Sequence, residues 1–147
     1  MAQTQKRLID YQSEWSEDHK IDQTDLATES TNIPYLHSKY MNYLSSERLK
    51  MRKMSEKQRK LKSELLDYYQ GNVDGKDIGR NPWPLTESKS SAEKRVDNDS
   101  EIIKMNLIMY ELEEIVLFLK EVVVNINNRG FAIKNAIDWK KFTNGGY

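Results

Sequence analysis

The sequence predicts an all-α protein of long helices in a coiled-coil-like arrangement, completed by homo-oligomerisation. Three observations predict it. Positions 33, 37, 40, 44, 47, 51, 54, 58, 61, 65 and 68 step by alternating fours and threes, and eight of these eleven are apolar or aromatic. A second heptad seam, formed by Met105, Ile108, Leu112, Ile115, Leu119, Val122 and Ile126, is apolar at every step. Apolar residues make up 37% of the 147 positions against 31% charged. That is a small supply for a compact monomer, and it is met either by partial disorder or by a core shared between copies. The length fits one helical domain over residues 1–147.

The elements follow in order. Residues 7–22 predict a short amphipathic helix, because Leu8, Tyr11 and Trp15 recur at spacings of three and four. The first 30 residues carry three basic and seven acidic side chains, a net charge of −4. Asp22 and Thr24 are candidate caps for what comes next. Residues 33–69 predict a single long helix with Pro34 in its first turn and Gly71 as its stop. Residues 71–98, with three glycines, Pro82 and Pro84 and no sustained period, predict a long loop with Trp83 tucked against a core. Asp97, Asn98, Asp99 and Ser100 offer caps for a C-terminal helix over 99–142. Met109, Val116 and Val123 add a second stripe beside its seam, and so wide a stripe predicts an assembly surface. Val122, Val123 and Val124 would also suit a strand, but the unbroken heptad pattern argues for helix. Gly130 either caps this helix or lies inside it. Residues 144–147 are expected to fray.

The chemistry of the chain is narrow. It has no cysteine, hence no disulfide framework and no thiolate chemistry, which fits a reducing compartment. No basic-then-apolar leader is evident, so no secretory signal is expected. The most apolar stretch, 102–126, is interrupted by six charged residues and does not read as a membrane span. His19 and His37 stand apart, without clustered acidic partners, and read as surface and seam residues rather than metal ligands. The run G-N-V-D-G-K at 71–76 has the wrong glycine spacing for a phosphate loop, is followed by Asp77 instead of Ser or Thr, and follows no strand. Glu111, Glu113 and Glu114 read as an exposed helix face. No nucleophile–base pattern occurs, and the chain reads as a non-enzyme without metal or cofactor.

The informative departure from neutrality is local. The formal net charge is zero, yet residues 47–62 carry eight basic and two acidic side chains on a helical segment. Arg48, Arg52 and Arg59 fall within about 40° of one another on that helix, with Lys62 beside them. Lys50, Lys53, Lys57 and Lys60 form a second group across the stripe of Met51, Met54, Leu61 and Leu65. Two readings stand side by side: a polyanion-binding face, for which nucleic acid is the commonest cellular ligand, or an ordinary solvated or partner-facing helix. Tyr40, Tyr43, Tyr68 and Tyr69 flank the basic stretch as base-stacking platforms or, more simply, as packing groups. A membrane-surface helix ranks third, for want of bulky anchors.

Three segments carry a resemblance: R-L-I-D-Y-Q-S-E-W-S-E-D-H-K-I-D at 7–22, L-D-Y-Y-Q-G at 66–71 and N-R-G-F-A-I-K-N-A-I-D at 128–138. Together, and in this order, they resemble the UvsY recombination-mediator family of T-even-like bacteriophages. The resemblance implies an all-helical homo-oligomer, a ring or helical barrel of about six or seven subunits, in the cytoplasm of the bacterial host. It implies binding of single-stranded DNA and loading of a RecA-like recombinase onto DNA coated by single-stranded-DNA-binding protein, without enzymatic activity. It also implies assembly through the C-terminal part and a basic DNA-binding motif just before L-D-Y-Y. Here Ser63, Glu64 and Leu65 occupy that place and the cations stand one or more turns earlier. The candidate DNA-binding residues are therefore Arg48, Arg52, Lys53, Lys57, Arg59, Lys60 and Lys62. The candidate assembly residues are the seven of the second seam. The rival reading is a scaffolding coiled-coil oligomer without a nucleic acid ligand.

Overall fold

The computed structural model describes residues 5–145. Five α-helices follow one another: α1 (Leu8–Asp18), α2 (Leu26–Thr31), α3 (Ile33–Tyr69), α4 (Lys89–Asp97) and α5 (Ser100–Thr143), with one 3₁₀ turn at Lys76–Ile78. No strand occurs among the described residues. None of their helices is long and apolar enough to cross a membrane. Of the expected frayed end at 144–147, Gly146 and Tyr147 lie outside the described residues.

The chain falls into two compact units. The first joins the chain up to Arg48 with the chain from Glu113 onward, and the second is Leu49–Leu112. Both long helices contribute a stretch to each.

In the first unit, α1 begins where the Asp10 carboxylate accepts the Arg7 backbone N–H at 2.7 Å. It ends at Asp18, short of residue 22. Beyond it the Asp22 side chain accepts the backbone N–H and hydroxyl of Thr24, at 2.8 and 2.5 Å, in a turn of its own. The cap of α2 is Asp25, whose side chain accepts from Thr28 N–H, rather than Asp22 or Thr24. Tyr11, on α1, meets Tyr43 edge-on at 5.1 Å between ring centroids, and Trp15 meets Tyr40 at 5.3 Å. Leu36, Tyr40, Leu44, Ile115, Val116, Leu119, Val122, Ile126 and Ile133 are buried in this unit.

The long seam of α3 is confirmed, polar interruptions included. Glu47 is fully buried and accepts the Tyr11 hydroxyl at 2.8 Å. A buried carboxylate must be hydrogen-bonded, and Tyr11 from α1 supplies the donor. In the second unit Gln58 donates to Asn106 at 2.5 Å.

That second unit is built around Leu65, Tyr68, Tyr69, Ala92, Val96 and Ile102, with Leu61, Leu66, Ile78 and Trp83 packed against them. The predicted loop over 71–98 is therefore only partly loop. Ser88 caps α4 by accepting the Ser91 N–H, and Ala92 and Val96, four residues apart, bury one edge. A helix of nine residues is too short to display a sustained period. Gly75 explains part of the glycine content. Its φ of +92° is left-handed, and a Cβ there would stand 2.8 Å from the Tyr68 ring. Trp83 is half-buried against the core, as the sequence suggests.

α5 runs without a break through Gly130. Asp99 opens it, accepting the Glu101 N–H at 3.0 Å.

Candidate nucleic-acid interface

Helix periodicity turns the buried seam of α3 inward and its cations outward. Arg48, Arg52, Lys53, Lys57, Arg59, Lys60 and Lys62 are all exposed. Arg48 closes the first unit and the other six lie in the second. Arg59 is engaged with Glu56 of its own helix at 2.8 Å, both side chains well exposed, a pair of small energetic weight that an incoming anion can displace. Arg48, Arg52, Lys53, Lys57, Lys60 and Lys62 form no ion pair among the described residues. Met51, Met54 and Leu61 are half-buried and Leu65 is fully buried. The seam thus separates the two basic shoulders as the sequence indicates.

The tyrosines that flank this stretch are not base platforms. Tyr40, Tyr68 and Tyr69 are buried. Their hydroxyls donate to Asp18 at 2.9 Å, to the Asn81 carbonyl at 2.7 Å and to Asp99 at 2.7 Å. Tyr43 is half-buried and donates to Glu14 at 2.8 Å. The packing reading holds for all four.

The acidic N-terminal region is largely consumed by the fold. Glu14 takes Lys39 at 2.8 Å and Lys6 at 2.9 Å, and Asp18 takes Lys39 at 2.7 Å. Burial alone would raise the Glu14 pKa, but hydrogen bonds from Lys39, Lys6 and Tyr43 outweigh it and hold the carboxyl down at about 2. Glu29 pairs with Arg129 at 2.8 Å. Arg129, which is buried, also donates to the His19 and Lys20 carbonyls at 2.8 and 2.9 Å. The arginine of the R-G-F-A-I-K segment is thus a latch on the turn that follows α1. Its sole sequence signal is a lone cation at a core-facing heptad position. His19 is exposed and His37 half-buried. Among the described residues no group of three or more His, Cys, Asp or Glu could hold a metal ion.

The second seam is distributed differently from the expectation. Leu112, Ile115, Leu119, Val122 and Ile126 are buried by the single chain itself. Met105 is half-buried, and Ile108 stays 44% exposed. The apolar side chains that α5 leaves exposed lie on other rows: Leu107, Tyr110, Leu117, Val124 and Phe131, with Trp139 stacked on Phe142 at 5.8 Å near its end.

A family model for the UvsY recombination, repair and ssDNA binding proteins matches residues 14–146. The chain belongs to the UvsY family. The recombination protein uvsY of Enterobacteria phage T4 is 30% identical over 139 residues, a match spanning 95% of this chain and 98% of that protein. Two crystal structures of the bacteriophage T4 recombination mediator protein UvsY agree with the fold. Lattice type IV is 28% identical with a TM-score of 0.83, covering 93% of this chain and 99% of its own. Lattice type II is 29% identical with a TM-score of 0.83, covering 95% and 98%. The all-α architecture is thus that of UvsY structures.

Proposed function

We propose that this protein binds single-stranded DNA along the outward basic face of α3 and acts as a recombination mediator. In this role it helps a RecA-like recombinase load onto DNA coated by single-stranded-DNA-binding protein, in the cytoplasm of an infected bacterial host. The observation that carries the reading is the exposed row of cations on α3 in a member of a family described as ssDNA-binding. Such a face neutralises phosphates without reading bases, which suits a protein that must act on any sequence. Arg48, Arg52 and Arg59 form one shoulder and Lys53, Lys57 and Lys60 the other.

One subunit offers few phosphate contacts and binds weakly alone. Self-assembly into a homo-oligomer, a ring of about six or seven subunits, repeats the basic face and turns weak sites into strong binding by effective concentration. We place the assembly surface on α5. Its exposed apolar residues make the intersubunit contact, and its buried seam residues hold the helix in shape. The protein carries out no chemistry of its own.

The test is binding of a labelled single-stranded oligonucleotide across a salt series, with stimulation of the recombinase on coated DNA as the functional readout. Affinity falls steeply with salt if the reading is right. A chain that binds no single strand at low salt is a scaffold instead.

A further inference from the structure

An open groove of about 460 Å³ lies in the second unit, lined by Tyr69, Trp83, Glu87, Lys94 and Arg95 among others. That volume is within the range of small-ligand sites. Its walls combine features that no packing need explains. The Arg95 guanidinium lies over the Trp83 indole at 5.4 Å, and its Nε donates to Glu87 Oε1 at 3.1 Å. Trp83 Nε1 and Glu87 Oε2 are buried without a hydrogen-bond partner among the described residues. Each such atom carries a desolvation cost that the closed arrangement leaves unrelieved. Arg95 is adjacent to both residues, its side chain is half exposed, and one ion pair ties it in place. A lone, partly exposed pair of this kind is easily exchanged.

Resting on the reading that this chain binds single-stranded DNA, we propose that the groove receives one unpaired nucleotide of the bound strand. A phosphate draws Arg95 away from Glu87, with Lys94 as a second cation at the rim. The base takes the place of the guanidinium on the indole. Its edge supplies a donor to Glu87 Oε2, one of the two groups left unmet. The exchange trades a cation–π contact for a base stack, and a nucleotide brings the anion, the flat ring and the donor edge together. The groove is also placed to receive a strand that follows the basic face. Lys62 stands one heptad before Tyr69, on the same side of α3 and about 10 Å away along its axis.

The test uses the full chain with Trp15 and Trp139 replaced by Phe, leaving Trp83 as its single indole. Binding of two equally long strands is followed by anisotropy and by Trp83 fluorescence, one strand being oligo(dT) and the other wholly abasic. The expected result is quenching of Trp83 by oligo(dT) and not by the abasic strand. In the parent chain, Trp83→Phe should weaken oligo(dT) binding about three- to tenfold, as expected when a smaller ring keeps only part of the stack. Abasic-strand affinity and the salt slope should stay unchanged. If oligo(dT) binds but Trp83 does not respond, the groove is not a nucleotide subsite and the DNA-binding function stands. If neither strand binds, both readings fall.

Discussion

Asp99 serves three neighbours with one carboxylate. It accepts both arms of Arg80, at 2.6 and 2.8 Å, the Tyr69 hydroxyl at 2.7 Å, and the Glu101 backbone N–H that opens α5. The bidentate Arg80 contact, ahead of an opposing burial effect, holds its pKa at about 2. A carboxyl depressed in the folded state contributes stability that is full above the ordinary carboxylate range. That contribution is lost as pH falls from about 4 through 2. Glu14 titrates in the same window. Urea midpoints should therefore drop between pH 5 and 2. Asp99→Asn should cost about 2–3 kcal/mol at pH 7, because it strands the Arg80 guanidinium, and should flatten part of the acid dependence. A variant whose midpoint follows the parent's pH curve would show that Asp99 contributes nothing to the acid dependence. Gly130 poses the opposite case. It sits in the helix interior, and a Cβ there would find only Ile33 Cδ1 at an ordinary 3.9 Å. Gly130→Ala should stabilise the chain by about 0.5–1 kcal/mol, read from the same urea midpoints.

At the scale of the element, α3 shows what a sequence displays and what it hides. Its limits and its buried seam were legible, because a heptad pattern sustained over 37 residues leaves no rival register. Glu47 and Gln58 looked like interruptions because their partners, Tyr11 and Asn106, are distant in sequence. The outward cations were legible for the same geometric reason as the inward seam. The roles of the tyrosines were not, since a hydroxyl bonded in a core and a ring offered to a base have one sequence signature. α4 and the groove beside Trp83 were hidden in a segment too short and too rich in glycine and proline to carry a period. The basic face can be tested element by element. Replacing Arg48, Arg52 and Arg59 with Gln keeps helix propensity and removes charge. Single-strand affinity should fall and the slope of log affinity against log salt should become shallower by about two. Thermal stability and oligomer mass should not change. If that variant binds normally and the Lys53, Lys57 and Lys60 triple variant fails, the strand follows the other shoulder.

At the scale of the whole molecule, the question is where one chain ends its own core and begins its contact with the next. Leu119 is fully buried in the single chain. Leu119→Asp should therefore cost about 3 kcal/mol or more and be seen first as lost thermal stability, whatever it does to assembly. Leu117 and Val124, at 55% and 50% exposure and one heptad apart, face outward on the same helix. Changing both to Glu leaves the subunit's core intact and sets carboxylates on the surface proposed to meet another copy. The helical content should be kept, while sedimentation should report smaller species. The dissociated chain retains every cation of α3, so its intrinsic contacts with phosphate are unchanged. Only the linkage between copies is lost, and single-strand affinity at moderate salt should drop by roughly a hundredfold or more. Dissociation with full affinity would remove avidity from the mechanism. An unchanged mass would move the assembly surface off this row of α5, leaving Phe131 and the Trp139–Phe142 stack as the next surface to charge.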